Sequence, residues 1–182
     1  IQPNMVIGQT SFTANLANQG NSSPTAKSLS FVLNGNLYTA SMAFDSSGNL
    51  WVADPGNSRI VRYPAASLSD SSPNGPEADL VIGQTNLTSL QTVDWGKAET
   101  RLLKSVLLQP TGVGFDPSGR LLLTDGAHRL LVYAPPFRSG MDAARIAGLV
   151  VNIQGQAPKP PVNEYTLFNP EGVFSNAGGI FV

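Results

Sequence analysis

The sequence predicts an all-β protein assembled from repeated four-stranded sheets, and three observations predict it. Short runs rich in Val, Ile and Leu alternate with turn clusters of Gly, Asn, Asp, Ser and Pro. Blocks of these runs recur along the chain in one fixed order. Sustained helical periodicity is missing, and only residues 97–106 read as a short surface helix.

The recurring blocks come first, because periodicity of this kind decides the architecture. Val6-Ile7-Gly8-Gln9-Thr10 returns letter for letter at Val81-Ile82-Gly83-Gln84-Thr85, with a degraded third copy at Arg145-Ile146-Ala147-Gly148. Met42-Ala43-Phe44-Asp45 followed by Gly48-Asn49-Leu50-Trp51-Val52-Ala53-Asp54 is matched by Val113-Gly114-Phe115-Asp116 followed by Gly119-Arg120-Leu121-Leu122-Leu123-Thr124-Asp125. Leu107-Leu108-Gln109-Pro110-Thr111-Gly112-Val113 is matched by Leu167-Phe168-Asn169-Pro170-Glu171-Gly172-Val173.

Each full unit reads as four strands. The first is Met42 to Phe44, then Val113 to Phe115, then Val173 onward. An Asp-x-x-Gly turn, Asp45 to Gly48 or Asp116 to Gly119, joins it to the second, Leu50 to Ala53 or Leu121 to Thr124. Asp opens such a turn by bonding backbone two residues on, and Gly supplies the positive φ that closes it. The third strand is Arg59 to Tyr63 or Arg129 to Tyr133. The fourth is Leu80 to Ile82 or Arg145 to Ala147, ending near a Gly. Four antiparallel strands repeated in order describe the blades of a β-propeller.

Composition bounds the remaining choices. With 182 residues the chain is long enough to bury a core, and with no cysteine it has neither disulfides nor thiolate metal sites. A net charge of −1, with 13% charged residues, gives no basic footprint for nucleic acid or an anionic membrane surface. No apolar run reaches the roughly 20 residues that span a bilayer. The chain opens on Ile1-Gln2-Pro3 without an initiator Met or a signal-peptide pattern, and it stops at Gly179-Ile180-Phe181-Val182 inside an apolar strand. Both ends are therefore expected to be truncations, since a broken strand leaves unpaired backbone groups.

Asp54-Pro55-Gly56-Asn57-Ser58-Arg59-Ile60-Val61-Arg62-Tyr63 resembles the signature stretch of NHL repeats, as does Asp125-Gly126-Ala127-His128-Arg129-Leu130-Leu131-Val132-Tyr133. The second copy lacks one residue between Asp and Arg and has Ala127 in place of Asn57. The Val-Ile-Gly-Gln segments are similar to those of a bacterial subgroup of NHL proteins. The resemblance implies a six-bladed ring, of which this chain would hold about half. Residues 1–9 are then the last strand of a preceding blade, 40–84 and 110–148 two blades, and 170–182 the start of another. Residues 10–39, 85–109 and 149–169 are long inter-blade loops. The bacterial likeness also implies an extracytoplasmic or secreted protein.

The resemblance gives the signature residues a structural role. Asp54 with Arg59, and Asp125 with Arg129, flank the turn between second and third strands, where the two can pair and hold the loop backbone. Asn57 suits a left-handed turn position. Alternating strand direction sends the second-to-third loops and the long connections to one face, the expected binding surface, because loops of this length are uncommon unless functional or disordered. Candidate ligand contacts there are His128, Trp95, Asn57 and Gln84. Each has a plainer reading. His128, the sole histidine, falls on a repeat position beside Arg129. Trp95, near Asp94 and Glu99, can stack on a sugar or peptide or pin its own loop. Gln84, like Gln9, can cap the strand edge. Trp51 is core, and Asp45 and Asp116 belong to turns. Asn21-Ser22-Ser23 and Asn86-Leu87-Thr88 fit the glycosylation pattern only in a eukaryotic secretory setting. Gly112 and Gly114 form no phosphate loop, since neither a helix nor a Lys follows.

Two classes of function are compatible with these residues. The first is a binding scaffold that presents its long loops to a protein, peptide or carbohydrate. The second is a propeller enzyme, such as a metal-dependent lyase or lactonase-like hydrolase. Such enzymes converge several His or carboxylates near the ring axis. This chain offers one His and no acidic cluster, so no cofactor is evident, and calcium or zinc would need ligands from further blades. The binding class is therefore preferred. An open half-ring would also expose apolar sheet faces and be expected to self-associate.

Overall fold

A computed structural model describes residues 2–97, 99–148, 167 and 169–182. The chain is mostly β, with several antiparallel sheets. Strands β1 (Val32–Leu33) and β2 (Asn36–Leu37) form a small hairpin. A first four-stranded sheet comprises β3 (Met42–Phe44), β4 (Leu50–Asp54), β5 (Arg59–Tyr63) and β6 (Leu80–Ile82), in sequence order. A second comprises β7 (Gly112–Phe115), β8 (Leu121–Asp125), β9 (Arg129–Tyr133) and β10 (Arg145–Ala147). A last hairpin joins β11 (Phe174–Asn176) to β12 (Gly179–Phe181).

Turn chemistry sets these boundaries. Asp45 Oδ1 accepts the backbone N–H groups of Ser47 and Asn49, and Gly48 closes the β3–β4 turn at φ 80°. Asp116 Oδ1 does the same for Ser118 and Arg120, with Gly119 at φ 75°. The register follows, pairing Phe44 with Leu50 and Phe115 with Leu121. Every residue of β4 and β8 is buried, as expected for strands covered on both faces.

Between the two large sheets lies the main core. Trp51, Ala53, Ile60 and Ile82 of the first meet Val113, Leu121, Leu123 and Leu131 of the second. Trp51, Phe115 and Phe137 form a triangle of edge-to-face rings, and Trp51 Nε1 donates to Asp45 Oδ2 at 2.9 Å. The neighbouring first strands are also bonded: Ser41 N–H donates to Thr111 O, and Val113 N–H to Ser41 Oγ. Ser175 Oγ donates to Phe115 O, extending the same side-by-side arrangement to β11.

Three local expectations are corrected. Among the described residues of 97–106 the only helical element is a 3-10 turn at Glu99–Leu102. Arg129 takes the carbonyls of Arg101, Leu103 and Val106, which a helix would need for itself. Asn57 lies in the 3-10 turn Pro55–Asn57, and the left-handed position belongs to Ser58 (φ 50°), matched by His128 (φ 63°). Residues 2–9 are not assigned as strand, although they hold a strand-end position. Val6 N–H donates to Asn74 Oδ1 and its carbonyl accepts from Gly75. Val81 makes the same two bonds with Ser139 and Gly140. Of the expected 149–169 loop, residues 149–166 and 168 lie outside the described residues.

Candidate functional site

At the β4–β5 turn the carboxylate of Asp54 is fully enclosed. Arg59 Nε donates to Asp54 Oδ2 at 2.7 Å, and Ser30 N–H donates to Oδ1 at 2.7 Å. Burial pushes the Asp54 carboxyl upward, against the pull of Arg59, Asn57 and Ser30. The rest of the Arg59 guanidinium clasps loops: Nη2 donates to the carbonyls of Thr25 and Ser28, and Nη1 to that of Leu87. One buried side chain thus ties the loop before the first sheet to the loop after it.

The second copy repeats the clasp with different partners. Arg129 grips Asp125 through Nε to Oδ1 and Nη2 to Oδ2, while Leu108 N–H donates to Oδ2. Its remaining bonds go to the carbonyls of Arg101, Leu103 and Val106. Tyr133 OH donates to Lys104 O in the same loop. Both pairs are hydrogen-bonded at nearly every donor, which is what a charge taken out of water requires.

The four candidate ligand contacts fare differently. Asn57 and Gln84 are buried, and their amides are engaged within the protein. Asn57 exchanges amide bonds with Asn18 and donates to Asp54 Oδ2. Gln84 accepts from Gln91 N–H at 2.7 Å and donates to the carbonyls of Asn57 and Gln91. Gln9 likewise donates to Leu16 O, seven residues on, so the two Gly-Gln copies close the same loop. Neither Asn57 nor Gln84 presents itself to a ligand, and this corrects their candidacy. Trp95 is half-buried with its ring over the Arg129 guanidinium, 5.3 Å from the centroid, and it lines a 310 Å³ cavity with Leu90, Val106 and Leu107. His128 sits at the β8–β9 turn, where Nδ1 accepts the Asn169 N–H at 3.0 Å. Burial and the nearby Arg101 charge lower its pKa below the usual histidine value, with Asp125 opposing.

A second cavity of 310 Å³ opens at the N-terminal ends of the first strands. Its walls include Tyr38, Gln109, Thr111, Asn169, Pro170 and Glu171. Thr111 Oγ1 donates to Pro170 O at 2.9 Å across its floor, and Gln109 (φ 45°) and Asn169 (φ 46°) both adopt left-handed backbone just before a proline. Sequence reasoning passed over these residues. The signal was present in the aligned Gln109-Pro110 and Asn169-Pro170, where one copy matches the other in placing an amide side chain at the rim. Tyr38 and Asn18 gave no signal, because the loop before the first sheet aligns poorly with its counterpart.

A 670 Å³ cleft on the opposite face is lined by the two Asp-x-x-Gly turns and Pro135 to Phe137. Its carboxylates are occupied by the turns themselves. For Asp45 and Asp116 burial acts upward, yet the hydrogen bonds of Trp51 and Asn49, and of Arg120 and Ser118, bring the net pKa below the usual carboxylate value. Among the described residues there is no group of three or more His, Asp or Glu able to hold a metal ion. No described helix is long and apolar enough to cross a membrane. No family model matches the chain, and a search of curated proteins finds no match.

Proposed function

We propose that the two four-stranded sheets are consecutive blades of an NHL-type β-propeller, and that the protein is a scaffold that binds a protein, peptide or carbohydrate through its long-loop face. The propeller reading is supported by the successive first strands, which lie side by side from β3 to β7 to β11. The resemblance to bacterial NHL proteins supports placement outside the cytoplasm. The observation that carries the binding reading is the cavity bordered by Tyr38, Gln109, Asn169 and Glu171. Around it, the signature charges are spent on holding loops in place. The cavity instead offers one aromatic ring, two amides, the hydroxyls of Tyr38, Thr39 and Thr111 and a carboxylate, a set that orients neutral polar groups and amines.

The test is a screen of the labelled protein against peptide and glycan arrays, repeated with Tyr38→Ala and with Glu171→Gln. Binding to members of one array, weakened at least tenfold by Tyr38→Ala with unchanged circular dichroism, supports the reading. Silence on both arrays, or binding indifferent to both substitutions, overturns it.

A further inference from the structure

The two cavities of 310 Å³ occupy equivalent places in successive repeats. One borders Gly56 and the other Gly126, each in the turn between a second and a third strand. The chain holds the two glycines alike. Gly56 N–H donates to Ser30 O, and Gly126 N–H donates to Leu108 O. Ser30 and Leu108 in turn give their own N–H groups to the buried carboxylates of Asp54 and Asp125. Antiparallel pairing puts both turns beside the starts of the first strands, so both cavities lie at one end of the sheets.

They are also neighbours. Leu108 lines the Gly56 cavity and Gln109, the next residue, lines the Gly126 cavity. The β1–β2 hairpin contributes to both, with Leu33 and Asn34 in the first and Leu37 and Tyr38 in the second. What differs is the chemistry that the connections bring.

The Gly56 cavity is walled by Leu33, Leu90, Val93, Trp95, Val106 and Leu107, and among the described residues no charged side chain lines it. Such a wall rewards an aliphatic or aromatic group. It penalises a sugar ring, whose hydroxyls would be buried short of partners. The Gly126 cavity carries Tyr38, Gln109, Asn169 and Glu171, and Glu171 is its one charged side chain among the described residues. A carboxylate near an aromatic ring suits a cation, and the two amide carbonyls can accept its remaining N–H groups.

A ligand that fills both cavities therefore carries an apolar group and a cation at a set separation. Stacked sheets lie about 10 Å apart, which an extended chain rising about 3.3 Å per residue covers in about three residues. A peptide is built in that way. We propose that the two cavities together read one extended peptide, an apolar side chain seating against Leu90 and Trp95 and a lysine or arginine, about three residues away, reaching Glu171. The proposal rests on the long-loop face being the binding surface, and it narrows the ligand of that face to a peptide.

Panning a phage-displayed random peptide library on the 182-residue chain tests it. Recovered peptides are expected to share an apolar residue and a Lys or Arg about three positions apart. One such peptide is then synthesised and followed by fluorescence anisotropy. Exchanging its Lys or Arg for Gln should weaken binding to wild type about tenfold or more, and should cost nothing further in Glu171→Gln. Exchanging its apolar residue for Ser should also weaken binding to wild type, and that loss should shrink in Leu90→Ser. Leu90 and Glu171 are exposed, and circular dichroism checks that each variant keeps its fold. Recovered peptides with only one of the two features overturn the proposal. So do losses that persist unchanged in the two protein variants. A chain that recovers no peptide yet binds a glycan array overturns the peptide and leaves the binding surface standing, whereas silence towards both overturns the two together.

Discussion

Replacing Gly83 with alanine probes the joint that the three Gly-Leu pairs share. Gly83 has φ +89°, and a Cβ there would stand 2.7 Å from Leu107 Cγ and Cδ1 and 3.0 Å from Ser58 O. Gly8 meets Leu29 at 2.8 Å and Gly148 meets Leu167 at 2.5 Å, so in each copy a leucine from the next connection lies directly on the glycine. Two separable costs follow. Left-handed backbone costs a non-glycine residue about 1–2 kcal/mol. Forcing a methyl group into packed side chains costs about 1–3 kcal/mol more. Gly83→Ala is therefore expected to lose about 2–5 kcal/mol in urea unfolding, read at fixed protein concentration with unchanged m. Leu107→Ala alone loses about 2–5 kcal/mol through its cavity. In the double variant the overlap with Leu107 disappears. Adding Gly83→Ala to Leu107→Ala should then cost the backbone part, about 1–2 kcal/mol, plus what the contact with Ser58 O retains, a favourable coupling of up to about 1–3 kcal/mol. Strict additivity of the two substitutions would refute the reasoning, because it would mean that Leu107 does not press on the glycine.

Three further outcomes are expected. Arg59→Leu leaves Asp54 buried without its cation and strands the carbonyls of Thr25, Ser28 and Leu87, so stability should fall by about 3–5 kcal/mol; a loss below about 1 kcal/mol in urea unfolding contradicts the clasp. Trp95→Ala removes the ring over the buried Arg129 and should cost about 2 kcal/mol in the same assay, and a loss of about 4 kcal/mol or more, as for a fully buried Trp, would mean that the tryptophan is a core residue. His128 should titrate below pH 6.5 in the proton NMR spectrum, where as the sole histidine it is unambiguous. The sign follows from its lowered folded pKa: the unfolded chain binds the proton more readily, so this contribution is present above pH 6.5 and is lost as pH falls through the folded value. Protonation of Nδ1 also ends its acceptance of the Asn169 N–H. A midpoint above 6.5 would show that Asp125 outweighs burial and Arg101.

What the sequence disclosed and what it hid divide along a physical line. The strands were readable because each is bounded by residues with local reasons to be there. Arg59–Tyr63, Arg129–Tyr133, Leu80–Ile82 and Arg145–Ala147 fall where the apolar runs and turns put them, and β4 and β8 differ from expectation only by including their terminal Asp. The Asp–Arg pairs were readable too, since two copies of one spacing pointed to one geometry. The Asn34-Gly35 turn of the β1–β2 hairpin carried an equally local signal, with φ of 49° and 78°, but sat in a segment read whole as a loop. Asn57 misled for a non-local reason. Its amide is taken by Asn18, 39 residues earlier, and the left-handed position in both copies is the residue before the Arg, Ser58 or His128. The same holds for the cavity, whose rim joins Tyr38, Gln109 and Asn169 from three separate connections. Each connection's residues are chosen against a neighbouring sheet and not against their own chain neighbours. The repeats therefore specify the sheets, while the walls of the cavity are specified by how one repeat's connection meets the next.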